Sequence, residues 1–591
     1  MNTTNTTNTV STKRLRRISK VALLGGIALT AWPIATAKPV LAAEVTAERL
    51  INADKEPQNW LMNHRTYDGQ RFSPLDQINK GSVKNLKLAY AVAIGGTAVD
   101  ENLEATPLVE DGFMYIADLW GIVYKIDVRS GDAGRILWRM NPKQEKAANA
   151  NRGVALWGNY VISSASYPPR IIASDKESGK VAWEANLSTD QAEVSITAAP
   201  LAIKDKIIVG ASGGDRGVRD FIAGLDAATG KRLWLKYTIP APGEPGSETW
   251  KDKNNAWQTG GGAVWLTGTY DVASNQTIWG TGNPVPMMDA RVRPGDNLYT
   301  NSAISWDPDS GKMNWYFQFT PGDMWDFDEV GTHILIDGNV DGQKRNLITH
   351  SARNGFVYTM ERSNGQIIVA KPYMDNVNWT KGIDQKTGKP LDYDASKDIQ
   401  TYSGLANPTT ENPIKKVCPN RTGGNNYWPS SYSPRTKLLY IPVLTACEIV
   451  TNDKDMPKKE PGWYARTGGA YKAEERYESN LTAVDPLTGE VKKNLHLPYP
   501  NYSGTLATAG GLVFIGLLDG TVAAYDDTTL DLLWKVNVGS GFSAPPMTFA
   551  VNGKQYIAIA AGPSSAARSK LINTPELKEQ RNATVLYVFS L

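Results

Sequence analysis

An aspartate followed eight residues later by a tryptophan, with a short polar turn between them, recurs along this chain and restricts its fold more than any other feature. The clear copies run Asp175 to Trp183, Asp226 to Trp234, Asp307 to Trp315 and Asp526 to Trp534; weaker relatives run Asp127 to Trp138, Glu361 to Gly365 and Asp485 to Gly489. In each, a β-rich run ends at an acidic residue, turns through a segment that usually contains glycine, and restarts as a strand, in most copies with an indole on it. That is a hairpin signature. A unit this short cannot bury its own apolar face, so the copies must stack on one another. A radial, all-β propeller meets that requirement. Composition agrees: 53 Gly, 34 Pro, 18 Trp and 25 Tyr mark many turns and aromatic strand packing rather than long helices.

A propeller absorbs a length of 591 residues as one closed body. The net charge is only +3 and the basic residues are dispersed, which sets nucleic acid aside as a partner. Residues 1–43 read as a secretory signal peptide, leaving 44–591 as the propeller. The basic cluster Lys13 to Arg17 precedes an apolar stretch from Val21 to Trp32, and small residues follow with cleavage expected after Ala42 or Ala43. The apolar stretch is too short for a membrane anchor and is broken by Pro33 and Lys38. Cys418 and Cys447 are the only cysteines and both fall in the exported part, where an oxidising compartment favours a disulfide between them. Such a bridge would contribute roughly 3 kcal/mol. No C-x-x-C-H exists, which excludes covalently attached c-type haem.

Four dispersed histidines give little support to a histidine metal site, so carboxylates and amides are the stronger candidates. The densest polar cluster is Asp323, Asp326, Asp328 and Glu329. In an extended segment residues two apart face the same way, so Asp326 and Asp328 would point together. Two such charges call for a hard, oxygen-loving cation, unless the segment is a solvated acidic turn. Asn283 on a tight turn, and Asp215 after Gly213 and Gly214, where the backbone can approach a ligand closely, add oxygen ligands. The segment from Trp257 to Trp265 joins a glycine cluster to an indole. It suits a flat aromatic ligand, or else a bulged propeller strand with a core tryptophan.

Together these segments resemble the quinoprotein alcohol dehydrogenases that use pyrroloquinoline quinone (PQQ), of the methanol and ethanol dehydrogenase type. The likeness covers the whole mature chain: Trp60 to Leu75, Glu104 to Leu108, Asn151 to Gly153, Gly280 to Pro284, Arg293 to Asn297, the acidic cluster, His350 to Gly355, Gly423 to Asn426 and Gly504 to Gly510. The resemblance implies an eight-bladed superbarrel closed by tryptophan-docking repeats. It implies that Asp326 is the catalytic base, with Arg353 donating hydrogen bonds to it and to the quinone. It implies that Asp215, Asn283 and Asp326 hold the metal. Trp265 would be the floor beneath PQQ, while Glu104, Arg152, Thr197, Ser212, Gly213, Gly214, Thr259, Arg353 and Asn426 would contact the cofactor. Asp323 and Glu329 match no ligand position and are expected to be structural or solvent-facing. The two cysteines match a non-vicinal bridge of the family.

Three positions depart from the family pattern. Lys146 to Ala150 stands where the best-known members carry two adjacent cysteines over one face of PQQ. Asp215 replaces the usual glutamate ligand, and Tyr502 aligns with a tryptophan above the cofactor. The missing cysteine pair and the tyrosine at 502 suggest a roomy pocket for bulky primary or secondary alcohols. Asp328, two residues after the implied base, resembles the mark of lanthanide-using members, so calcium and a lanthanide both stand as the ion. The function expected is a periplasmic PQQ-dependent dehydrogenase that oxidises an alcohol to an aldehyde or ketone and passes electrons to a separate cytochrome c or other acceptor. The alternatives are an aldose or polyol dehydrogenase on the same fold and a non-catalytic propeller scaffold.

Overall fold

The computed structural model describes residues 43–95, 102–404, 413–452, 469–472 and 476–591. The expected signal peptide therefore lies, but for Ala43, outside the described residues. Eight blades of four antiparallel strands make up the body, the seventh carrying in addition the short strand Phe72–Ser73 paired parallel to Thr505–Thr508. Blade one is built from Leu108–Glu110, Phe113–Ala117, Val123–Asp127 and Arg135–Met140, and blade two from Ala155–Trp157, Tyr160–Ser166, Pro169–Asp175 and Val181–Asn186. Blades three to seven follow in chain order, their innermost strands beginning at Leu201, Thr269, Ile334, Ser431 and Thr505. Blade eight is composite. Its strands Met547–Val551, Lys554–Ala561 and Val585–Ser590 are completed by Lys87–Ala93, which pairs antiparallel with Val585–Ser590. Middle strands such as Phe113–Ala117 and Leu512–Gly516 are buried on both faces and read as continuous apolar runs, whereas Gln343–Ser351 of blade five begins polar and exposed and is buried only from Leu347 on. Outermost strands alternate or face solvent, as in Arg135–Met140.

The Asp-to-Trp repeat is the joint between blades. Each acidic residue closes its turn by backbone pairing, for example Gly230 N–H to Asp226 O (2.8 Å) and Asp226 N–H to Lys231 O (2.8 Å). The turn glycine takes a left-handed conformation, with φ of 70° at Gly179, 72° at Gly230 and 68° at Gly311. The indole of the preceding blade lies against that glycine. A Cβ added at Gly179, Gly230, Gly311 or Gly365 would come within 2.4–2.8 Å of Trp138, Trp183, Trp234 or Trp315, so no other residue fits. Three of these indoles donate across the joint: Trp138 to Lys176 O (3.1 Å), Trp234 to Pro308 O (3.0 Å) and Trp315 to Arg362 O (3.1 Å). Trp534 does the same to Leu86 O (3.0 Å), joining blade seven to the composite blade. In its own turn the glycine position is held by Leu530, left-handed at φ 63° and 3 % exposed. Burial of the leucine, about 2 kcal/mol, offsets a backbone cost of similar size.

A separate three-stranded sheet, Ile414–Val417, Glu448–Asn452 and Gly469–Lys472, is inserted around the sixth blade. Cys418 and Cys447 are joined in a disulfide at its base. The segments that carry the polar motifs are not strands. They are the connections after Gly210, Tyr237, Gly280 and Gln318, which leave the regular blades and meet over one cavity.

Candidate active site

The connections converge on an open cavity of about 240 Å³. Its lining contains Arg152, Thr197, Ser212, Gly213, Gly214, Asp215, Trp265, Asn283, Asp326, Asp328 and Arg353, so residues spread over some two hundred positions come together in one place. Asp215 sits in the short 3-10 turn Gly214–Arg216, entered through Gly213 at φ 133°, a conformation open to glycine. Asn283 lies between Thr281, whose N–H donates to Ser302 O (2.8 Å), and Pro284, whose carbonyl accepts from Asn283 Nδ2 (3.0 Å).

Arg353 organises the acidic loop. Its Nη1 donates to Asp326 O (2.8 Å) and reaches Asp326 Oδ1 at 3.5 Å, while its Nη2 donates to Asp328 Oδ2 (2.7 Å). Asp328 also accepts from the Trp265 indole (3.2 Å) and, through Oδ1, from the Asn283 backbone N–H (2.5 Å). One carboxylate thus ties together the floor, the guanidinium and the amide turn. Asp326 and Asp328 do face one cavity, but not by strand alternation: the segment is irregular and Asp326 is left-handed at φ 62°. A non-glycine residue held there is strained, and it persists only because its surroundings fix it.

Electrostatically the cavity holds more negative charge than it compensates. Burial, with Asp328 and Asp215 adding to it and Arg353 opposing, pushes Asp326 well above the usual carboxylate range. Asp215 opens into the cavity but lies deep in the body, and that depth together with Asp328 pushes it up to about 6. Burial works against the charge on Arg353, but Asp328 and Asp326 outweigh it and hold the guanidinium above its ordinary range. Two carboxylates that resist ionising, Asp215 and Asp326, beside Asp328 and an amide oxygen and without soft ligands, have the chemistry a hard cation would satisfy. Among the described residues, however, no three acidic or histidine side chains are gathered closely enough to hold one as they stand. Trp265 offers a flat indole wall, with Arg152 placed 4.7 Å from its ring centroid. A planar quinone bearing carboxylates fits those groups.

The other expected contacts divide. Glu104 pairs with Arg152 (2.9 Å) and lines a smaller enclosed cavity of about 30 Å³ with His64 and Tyr427. Thr197 and Ser212 share a hydroxyl contact at 3.3 Å on the main cavity wall. Thr259 and Asn426 are not in that lining. Thr259 ends the 3-10 turn Ala256–Thr259, its hydroxyl on Ala256 O (3.4 Å), and Asn426 Nδ2 donates to Thr422 O (2.8 Å). Tyr502 packs against Trp428, ring centroids 4.2 Å apart. Asn149 and Ala150 form part of the wall. Asp323 and Glu329 are both fully buried rather than solvent-facing: Asp323 accepts from the Trp325 and Phe327 N–H groups, and Glu329 from His350 and the Arg353 N–H. The Glu329–His350 pair carried no local motif; a buried acid next to a cluster is visible only once the fold is.

The family profile described as "Glucose/ethanol/alcohol dehydrogenase, beta-propeller domain" of the PQQ group matches residues 60–372 and 472–557. The quinohemoprotein alcohol dehydrogenase of Comamonas testosteroni is 34% identical over 541 residues, covering 86% of this chain and 73% of that protein. The quinoprotein alcohol dehydrogenase PedH of Pseudomonas putida is 33% identical over 543 residues, covering 88% and 89%. A solved europium-containing methanol dehydrogenase superposes with a TM-score of 0.82 at 30% identity, covering 92% of this chain and all of that one. Likeness of this extent in both sequence and structure means that the chain belongs to the PQQ-dependent alcohol dehydrogenases, a family of quinoprotein oxidoreductases that work with a metal ion.

Proposed function

We propose that the protein is a periplasmic dehydrogenase that oxidises an alcohol to an aldehyde or ketone, with Asp326 as base and a separate cytochrome c or other carrier as electron acceptor. The observation that carries this reading is the meeting of Asp326, Arg353, Asp215, Asn283, Asp328 and Trp265 around one cavity. Asp215, Asn283, Asp326 and Asp328 would hold the metal, and Trp265, Arg152 and Arg353 the quinone. When bound, the quinone would supply a two-electron acceptor for the hydride of the alcohol carbon and the metal a Lewis acid.

The chain's own groups then do four things. Asp326 would take the hydroxyl proton on a carboxylate oxygen, and a cation held beside it would favour the ionised form that burial alone disfavours. Arg353 orients that carboxylate through Nη1 and carries Asp328 on Nη2. Asp328 fixes the indole of Trp265 and so the plane of the floor. Arg152, held by Glu104, presents a cation for cofactor carboxylates. The leader-like residues 1–43 and the disulfide support export, and among the described residues no helix is long and apolar enough to cross a membrane. The wall formed by Asn149 and Ala150 supports a roomy pocket for bulky alcohols.

The test is dye-linked oxidation of an alcohol panel by the purified protein after addition of PQQ with calcium or with lanthanum. Turnover that needs both quinone and ion is expected, with larger alcohols at least as good as methanol. Quinone-independent turnover, or none on any alcohol, would contradict the reading.

A further inference from the structure

Behind the loop that carries Asp215 lies a carboxylate that the reading above does not use. Asp220 immediately precedes the third strand of blade three, Phe221–Asp226, and is fully buried; no side chain bonds to either carboxylate oxygen, and the only group directed at them is the Gly214 backbone N–H. Its backbone is pinned, the N–H donating to Gly261 O (3.1 Å) and the carbonyl accepting from Thr238 N (3.0 Å) and Thr238 Oγ1 (3.1 Å), so the side chain cannot swing out to water. The carboxylate presses on the metal loop: a Cβ on Gly214 would stand 3.1 Å from its Oδ2. The charged groups that act on it are Arg216, Asp215 and Asp328. Arg216 is engaged elsewhere, its Nη2 donating to Ser195 Oγ (2.8 Å) and Glu193 O (3.1 Å).

A buried carboxylate with no charged or side-chain partner is costly even when one backbone N–H meets it, and a fold keeps one where a cation or a proton answers it. The cation implied here is the one held by Asp215, Asn283, Asp326 and Asp328. With Asp220 included, four carboxylates face three guanidiniums, Arg216, Arg353 and Arg421, which leaves one negative charge in excess around a single ion. Attraction between a fixed carboxylate and an ion grows in proportion to the ion's charge, so an outer carboxylate favours a trivalent over a divalent ion of similar size. We propose that Asp220 is a specificity-determining residue of the metal centre, an outer carboxylate that tilts the site toward trivalent ions. This rests on the assignment of the metal to Asp215 and its neighbours. Asp220 touches no ligand of the reaction; it acts through the Gly213–Gly217 loop and through its field.

The experiment is terbium(III) titration of the full-length purified protein, read by luminescence sensitised by the protein's tryptophans, Trp265 among them, with calcium chloride as competitor. It is run on wild type, Asp220→Asn, Asp220→Gly and Asp220→Glu, with circular dichroism to establish folding. If neutralising Asp220 weakens calcium tenfold, terbium should weaken about thirtyfold, and Asp220→Glu should restore the wild-type preference. Equal losses for both ions, or none, would overturn the proposal, as would loss of fold in both neutral variants, since Asp220 would then be structural. A wild type that binds neither ion would overturn the metal assignment itself along with it, which separates the two failures.

Discussion

The Glu329 carboxylate accepts from His350 Nε2 at 2.9 Å and, through the same oxygen, from the Arg353 backbone N–H at 3.0 Å. Both side chains are buried, and the His350 ring stacks on His333 with centroids 4.2 Å apart and planes 6° from parallel. The guanidinium of Arg353 is held from the cavity by Asp326 and Asp328, and its main chain is held from behind by Glu329. His350→Ala should cost about 3 kcal/mol, because it leaves a buried carboxylate without its partner. Glu329→Gln, which keeps an acceptor for the Arg353 N–H, should cost less. Denaturant midpoints check the order, and turnover should fall in both because Arg353 loses an anchor.

Asp326→Asn should leave the fold and quinone binding in place while lowering kcat by about a hundredfold to ten-thousandfold, the usual worth of a positioned base. Quinone absorbance at stoichiometric occupancy, measured beside kcat, checks this. Turnover within a factor of a few of wild type would mean that another group takes the proton.

Gly230→Ala should be among the most damaging substitutions outside the cavity. The left-handed φ of 72° costs an alanine about 1 kcal/mol, and the new methyl would sit 2.4 Å from the Trp183 ring, adding strain to a total of about 3 kcal/mol. Urea unfolding should show the loss, and Trp183 fluorescence should shift as the joint between the second and third blades loosens.

His64 predicts an acid limit. Burial, with Arg71 adding to it, lowers its pKa to about 4 from an ordinary value of 6.5; its Nε2 is hydrogen-bonded to Thr267 O (3.2 Å) and its Nδ1 has no partner. The unfolded chain therefore binds a proton below pH 6.5 that the folded chain refuses until about pH 4. Stability contributed by this neutral histidine is complete above pH 6.5 and is lost as pH falls toward 4, by about 3 kcal/mol in all. Comparing His64→Asn with wild type at pH 7.5 and pH 4.5 should show the variant losing less on acidification.

The blade joints were legible in the sequence because one spacing encodes both partners of the contact: the turn glycine and the indole that strikes the next turn. The ligand segments were legible as motifs, since Asp215, Asn283 and Asp326 lie in short polar runs bounded by glycine or proline. Other features depend on distant chain. Nothing near Asp220 distinguishes it from a strand-edge aspartate until Gly214 folds over it, and Glu329 looked like one more charge in an acidic run until His350 closed on it. Alternation put Asp326 and Asp328 on one side for a reason the backbone does not use; the left-handed turn at Asp326 is imposed by its surroundings.

The composite blade has a bearing on how the protein is made. Its strands Lys87–Ala93 and Val585–Ser590 are neighbours in space but stand near opposite ends of the sequence. During synthesis the ring can stack blade upon blade, yet it stays an open crescent until that late strand emerges and meets the early one. The site, assembled from connections of the first five blades, can therefore be framed early, while the ring that braces those blades is completed only when the last strand arrives.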